Sequence, residues 1–361
     1  MLRAYKYRIY PNEEQKIFLA KTFGCVRFVY NKMLEDRIRI YETGVEEKLP
    51  TPSKYKTEFE FLKEVDSLAL ANAQMNLDKA YKNFFRDKKV GFPKFKSRKK
   101  NKDTFTTNNQ KGTVNVVEGY LKIPKLKSLI KVKQHREING VIKSATISKR
   151  PSGKYFVSIL VEEDIQELPK NDNQVGVDLG ISDLAILSDG TKFENPRFIK
   201  QSEKKLAREQ RKMSKMKKES KNRERQRIKV ARIYERITNQ RKNYLHNITS
   251  KLVKDYGFIS LEDLSSSNSM KNKRLAKAIA DVSWFEFNRQ LEYKANWYGR
   301  KIVKISRWFP SSQICSNCGV KTGKKPLHIR KWFCECGAEH DRDINASVNI
   351  LSEGKRMLGM Q

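Results

Sequence analysis

At 361 residues the chain is long enough for two or three domains, each able to bury its own core. It carries 76 Lys and Arg against 41 Asp and Glu, a net charge of +35, yet 38% of its residues are hydrophobic, so it is no disordered polycation. That field calls for a polyphosphate partner. No apolar run approaches the ~20 residues of a membrane span and the first residues lack a signal core, so no membrane partner and a cytoplasmic location are expected.

Residues 2–10 alternate charge and apolarity as a strand does. Pro11 then opens a helical pattern in which Leu19, Phe23, Val26, Tyr30, Met33 and Leu34 make one apolar face. Cys25 lies beside that face and reads as core filling. A second helical pattern runs over 68–85. Residues 87–103, with two phenylalanines among lysines and arginines, read as a loop that contacts phosphates and whose rings can stack on bases. From about 105 to 165 the pattern turns to β: 113–117, 120–123, 142–149 and 155–162 read as strands. With 2–10 they suggest a small β-barrel interrupted by a helical insertion.

A polar linker at 166–174 leads to strands at 175–180, 183–188 and 191–193, with Asp189-Gly190 as a hairpin turn. Residues 197–255 are helical with a polar break near 217–222, and carry about twenty Lys and Arg to about five Glu. They read as a helical hairpin with Val230, Ile233, Ile237, Tyr244, Ile248 and Leu252 inside and a phosphate-facing basic surface outside. A strand at 258–261, a Ser- and Asn-rich loop at 265–269, a helix and a strand at 300–305 follow. The helix places Trp284, Phe287, Leu291, Ala295 and Tyr298 on one side, a core stripe rather than a stacking platform.

Four of the five cysteines fall within a short window. Cys315-Ser-Asn-Cys318-Gly and Cys334-Glu-Cys336-Gly read as a four-thiolate site for one structural Zn²⁺, since tetrahedral zinc needs ligand pairs on tight turns and four thiolates leave no open position for water. Gly319 and Gly337 permit those turns. His328 and His340 are nearby substitutes for Cys334 or Cys336.

Three carboxylates stand in an order that carries chemistry. Asp178 ends the strand Val-Gly-Val-Asp, Glu262 ends Phe-Ile-Ser-Leu-Glu, and Asp343 opens a helix after the cysteines. Asp263 competes with Glu262 as a ligand. Asp341 competes with Asp343, which is chosen because it lies nearer the helix body and pairs with Asn345. Asp341 and Asp343 could also simply cap that helix. Strand-borne Asp, strand-borne Glu and helix-borne Asp, with β-β-β-α-β-α between, is the arrangement of an RNase H-like nuclease core. Such a core holds two Mg²⁺ ions on hard oxygen ligands and cleaves phosphodiesters, with Asp178 as the bridging ligand.

At these residues the chain resembles the TnpB family, the insertion-sequence OrfB proteins related to type V CRISPR effectors. The resemblance rests on Gly176-Val-Asp-Leu-Gly-Ile, Leu261-Glu-Asp-Leu, the run from Trp284 to Gly299, Arg307-Trp-Phe-Pro-Ser-Ser-Gln-Ile-Cys-Ser-Asn-Cys-Gly and His340-Asp-Arg-Asp-Ile-Asn-Ala. It implies a multidomain α/β protein: a wedge-like β-barrel (1–10 and 105–168), a helical recognition lobe (11–104), a RuvC-like nuclease (169–310 and 338–361) and an inserted zinc ribbon (311–337). It further implies a guide RNA from the element's own end and cleavage of double-stranded DNA beside a short transposon-associated motif; no protein oligomer is implied. The family's catalytic carboxylates fall at Asp178, Glu262 and Asp343. Cys334-X-Cys336, with one residue between ligands, departs from the family pattern. Two other function classes remain as alternatives: a guided binder that represses without cutting, and an RNA-independent resolvase or transposase. The chain's four histidines form no His-X-His pair, which argues against the single-strand transposase mechanism.

Overall fold

The computed structural model describes residues 1–99, 102–264, 276–326 and 328–360, so the loop at 265–269 lies outside the described residues. The chain divides into two compact units, Met1–Asp164 and Ile165–Gln361.

The first unit is built on an antiparallel seven-stranded sheet in the order β2-β6-β7-β1-β5-β4-β3. Its strands are Leu2–Tyr10 (β1), Asp103–Asn108 (β2), Asn115–Val117 (β3), Tyr120–Lys122 (β4), Ile130–Lys133 (β5), Val141–Lys149 (β6) and Tyr155–Glu162 (β7). Tyr5, Tyr7 and Ile9 of β1 point into the core while Lys6 and Arg8 are more open, the period-two pattern of a sheet with one buried face. No β2–β3 pairing is found among the described residues, so the hydrogen bonds define a sheet where the alternation suggested a barrel. Helices Glu13–Thr43, Pro52–Glu58 and Ser67–Arg86 lie between β1 and β2 in the chain. The first is opened by Asn12, not Pro11: Asn12 and Gln15 exchange side-chain to backbone bonds in a capping box, and the proline stands one residue outside. Within the basic loop, Asn31 clamps Lys96 by accepting from its N–H (2.7 Å) and donating to its carbonyl (2.8 Å).

The second unit holds a five-stranded sheet in the order β10-β9-β8-β11-β12. Gln174–Asp178 (β8), Asp183–Leu187 (β9) and Lys192–Glu194 (β10) form an antiparallel meander turned by Asp189-Gly190, where Gly190 takes φ +87°. Phe258–Glu262 (β11) and Lys301–Ile305 (β12) run parallel to β8. Parallel neighbours need long crossovers. Helices Phe198–Ser214 and Lys221–Asp255 supply the first, and Ala276–Val282 and Trp284–Tyr298 lie within the second. The Val175 and Val177 side chains of β8 and Phe258, Ile259 and Leu261 of β11 are all buried, the unbroken apolar run of strands covered on both faces.

The last helix, Arg342–Met357, packs on β8 and β11. Two glycines permit the approach. A methyl at Gly176 would run into the Ser347 carbonyl and the Leu351 amide of that helix, and one at Gly354 would run into the Ser260 side chain of β11. Ser260 also donates to the Ile350 carbonyl at 2.7 Å, so β11 and the helix are bonded as well as packed. Before this helix, Lys331–Phe333 (β13) and Glu339–Asp341 (β14) form a small hairpin that carries the second cysteine pair at its turn.

Candidate functional site

Strand register brings the first two carboxylates together. Leu261 of β11 lies beside Val177 of the parallel β8, so the next residues, Glu262 and Asp178, leave the same end of adjacent strands. The helix packed on those strands starts at that end and presents Asp343 in its first turn. Asp178 is half-buried, and its carboxyl is pushed up to about 7, first by burial and then by the negative charges of Glu262 and Asp343, against a smaller opposing pull from Arg342. Burial likewise raises Glu262, opposed by the Ser311 hydroxyl. Asp343 is turned to Arg330, with Nη1 to Oδ2 at 2.9 Å.

The competing carboxylates are engaged elsewhere. Asp263 pairs with Arg307 at 2.7 Å. Asp341 is the helix N-cap, accepting from the amides of Asp343 (3.0 Å) and Ile344 (3.2 Å), and its other oxygen meets Lys192 at 2.8 Å. Burial would raise the Asp341 carboxyl, but Lys192 and the two amides outweigh it and hold it below the ordinary range. Asn345 does not pair with Asp343: its amide donates to the Ile314 carbonyl (2.8 Å) and accepts from the Ser316 N–H (2.9 Å). Ser311 and Asn349 escaped the sequence reading. Ser311 donates to Glu262 Oε1 at 2.6 Å, and Asn349 donates to the Ser311 and Ile314 carbonyls at 2.8 and 2.7 Å. The one signal for Ser311 was the Pro-Ser-Ser-Gln run between a strand and the cysteines; Asn349, inside the last helix, had none.

The cysteines are set by local turns. Gly319 and Gly337 take φ of +74° and +85°, and each donates its N–H to the carbonyl of the first cysteine of its pair at 2.9 Å. The four Sγ atoms all lie within 4.8 Å of one another, and no other group of three or more metal-ligating residues is that tight among the described residues. Cys315 to Cys336 and Cys318 to Cys334 are each 3.7 Å. A Zn–S bond of about 2.3 Å demands a tetrahedral edge of about 3.8 Å, so the four cysteines can hold zinc despite the single residue between Cys334 and Cys336. The Ala338 N–H and the Asn317 amide lower the Cys336 thiol to about 6, toward the thiolate that zinc requires. His340 stands outside the cluster, its Nε2 3.0 Å from Cys315 Sγ and its ring against Trp332. His328 is exposed and takes no part in the cluster.

Away from these groups, Lys204, Lys205, Arg208, Arg211, Lys212 and Lys215 line an open groove of about 870 Å³ along the helix Phe198–Ser214. Glu209 accepts from Gln226 at 2.8 Å with one oxygen and pairs with Arg208 (3.1 Å) and Lys212 (4.0 Å) through the other, so one carboxylate offsets part of the six positive charges and the groove stays net cationic. No helix among the described residues is long and apolar enough to cross a membrane.

Residues 157–273 match the OrfB_IS605 family, described as "Probable transposase", and 284–350 match a "Cas12f1-like, TNB domain". Residues 1–46 match a "Helix-turn-helix domain", although here they form β1 and one uninterrupted helix. A Streptomyces pristinaespiralis protein is 41% identical over 369 residues, covering 98% of this chain and 89% of its own. InsQ of Escherichia coli (strain K12) is 32% identical over 382 residues, covering 99% and 93%. Both are named "Putative RNA-guided DNA endonuclease". Among solved structures, a chain of the "Cryo-EM structure of the Cas12f1-sgRNA-target DNA complex" aligns with a TM-score of 0.58 at 13% identity, over 97% of this chain and 98% of that one, a likeness of fold. Full-length identity to these relatives settles the classification: the chain belongs to the TnpB family and has its Cas12-like α/β fold.

Proposed function

We propose that the chain is a divalent-cation-dependent, RNA-guided DNA endonuclease whose site is Asp178, Glu262 and Asp343. The observation that carries this reading is the meeting of three carboxylates at one strand end: strand register sets Glu262 beside Asp178, the last helix brings Asp343, and Asp178 is raised first by burial and then by the charges of the other two. The donors are hard carboxylate oxygens, which suit Mg²⁺. Bound between them, two Mg²⁺ ions would supply an activated water and neutralise the leaving 3′ oxygen. Asp178 holds the centre from β8, Glu262 flanks it from β11, and Asp343 closes it from the helix. Arg330 shields Asp343 and can turn to a phosphate instead. On this reading the five-stranded sheet and its last helix are a RuvC-type, RNase H-like core, the cysteines hold one structural zinc in an inserted ribbon, and the seven-stranded sheet is the wedge-like domain.

The names of the relatives support a guide RNA and a DNA target, and the cationic groove on Phe198–Ser214 suits a sugar-phosphate backbone. RNA pairing would choose the sequence while protein reads shape and a short adjoining motif in double-stranded DNA. The test is to express the protein with its native flanking DNA and sequence the RNA that survives a high-salt wash. One discrete species with a variable end supports guidance and supplies the target for a Mg²⁺-dependent cleavage assay. Heterogeneous RNA, together with cutting of branched DNA without RNA, would replace this reading by a structure-selective nuclease.

A further inference from the structure

Resting on the carboxylate site just proposed, we infer that Ser311 is a positioning residue for Glu262, and that Asn345 and Asn349 tie that position to the cysteine cluster. Ser311 is 8% exposed, and among the described residues its hydroxyl is the hydrogen-bond partner of the Glu262 carboxylate. A hydroxyl at 2.6 Å fixes one oxygen of a flexible carboxylate and leaves the other for a cation, the usual task of a group behind a ligand.

Ser311 is itself held from behind. Its carbonyl accepts from Asn349, whose amide also reaches the Ile314 carbonyl. Asn345 grips that same carbonyl and the Ser316 N–H, so the two peptide groups flanking Cys315 are both bonded to the helix that bears Asp343. Asn345 and Asn349 are 2% and 5% exposed, and buried amides left without partners are costly, so these bonds persist unless the segment moves. Residues 311–316 therefore run as a strap from Glu262 to the first thiolate, stapled twice to the helix. A displaced Cys315 would drag the staples and release Ser311 from Glu262. The cysteine ribbon thus sets the orientation of a carboxylate to which it contributes no atom.

The probe is Mn²⁺, its binding to the full-length protein followed by electron paramagnetic resonance. Ser311→Ala should weaken Mn²⁺ binding about tenfold or more, the usual loss when a group behind a metal ligand is removed. Zinc content should remain unchanged. In a Glu262→Gln background the same change should add no further loss, because its route is gone. An equal loss in both backgrounds would mean that the serine serves only the fold, and unchanged Mn²⁺ binding in the single variant would also overturn the inference. Asp178→Ala serves as the control: if it binds Mn²⁺ as wild type does, the carboxylate site itself is misassigned, an outcome separate from failure of the Ser311 role.

Discussion

The two candidate metal sites lie in one unit and are built in opposite ways. The cysteines come from two tight turns, and each turn fixes its own pair, so the four sulfurs stand within 4.8 Å of one another. The carboxylates come from residues 178, 262 and 343, and only strand register and the packing of one helix bring them close. Among the described residues they do not form a ligand group like that of the sulfurs, and Asp178 is driven up to about 7 first by burial and then by its neighbours. A structural site can be closed by local backbone geometry. On the function proposed, the carboxylates must admit substrate and cations, so they are gathered with their charge only partly offset and the rest of the fold restrains them.

Removing one class of ligand at a time separates the two. Chelation of zinc, or Cys315→Ser, should cost the ribbon on the order of 10 kcal/mol of binding-coupled folding energy. Hydrogen exchange should then rise sharply over 311–341 while the seven-stranded sheet keeps its protection; uniform exchange would deny the cysteines a structural role. Asp178→Ala acts on chemistry instead. It should lower DNA cleavage roughly a thousandfold or more, since a lost cation ligand removes several kcal/mol and each ~1.4 kcal/mol is tenfold. RNA retention and melting temperature should not fall. Undiminished cutting would remove Asp178 from the site.

The same contrast decided what could be read from the sequence. The cysteine pairs and their glycines were legible because spacing alone determines a tight turn. Asp178 and Glu262 were legible as ends of apolar runs, but the ion pairs of Asp263 with Arg307, Asp341 with Lys192 and Asp343 with Arg330 were not, because each partner comes from a separate segment. Asn345 was misread because a helix-borne amide two residues from an aspartate gives no hint that it faces the Ile314 carbonyl. Strand β2, Asp-Thr-Phe-Thr-Thr-Asn, was missed because threonine fills an inward position: Thr107 is fully buried and its hydroxyl bonds Asp66. Strand β5 was likewise passed over, its buried Ile130 and Val132 giving too short an alternation to stand out.

If packing assembles the carboxylates, then a change remote from any charge should loosen them. Gly176→Ala puts a methyl against the Ser347 carbonyl, a backbone atom that cannot swing aside. The helix bearing Asp343 must shift, at a cost of about 3 kcal/mol by the usual scale of overpacking. Urea unfolding should register that loss, and Mn²⁺ binding should weaken while zinc content holds. Full stability in the variant would place the helix farther from β8 than described.

The smallest effect tests the charge itself. Because the Asp178 carboxyl is raised to about 7, the folded, metal-free protein keeps a proton there that the unfolded chain releases near pH 4. The unfolded state therefore binds fewer protons between these values, and this residue lowers stability as pH rises from about 4 to 7, the reverse of a carboxylate held by a salt bridge. Asp178→Asn cannot ionise and escapes the penalty. Its stability advantage over wild type should widen by about 2 kcal/mol between pH 5 and pH 8, allowing for partial exposure of the residue and at ~1.4 kcal/mol per pH unit. Excess Mn²⁺ should abolish the advantage, because cations favour the ionised Asp178 and stabilise only the wild type. A constant gap across that range would mean that Asp178 is neither desolvated nor pressed by Glu262 and Asp343, contrary to the position described for it.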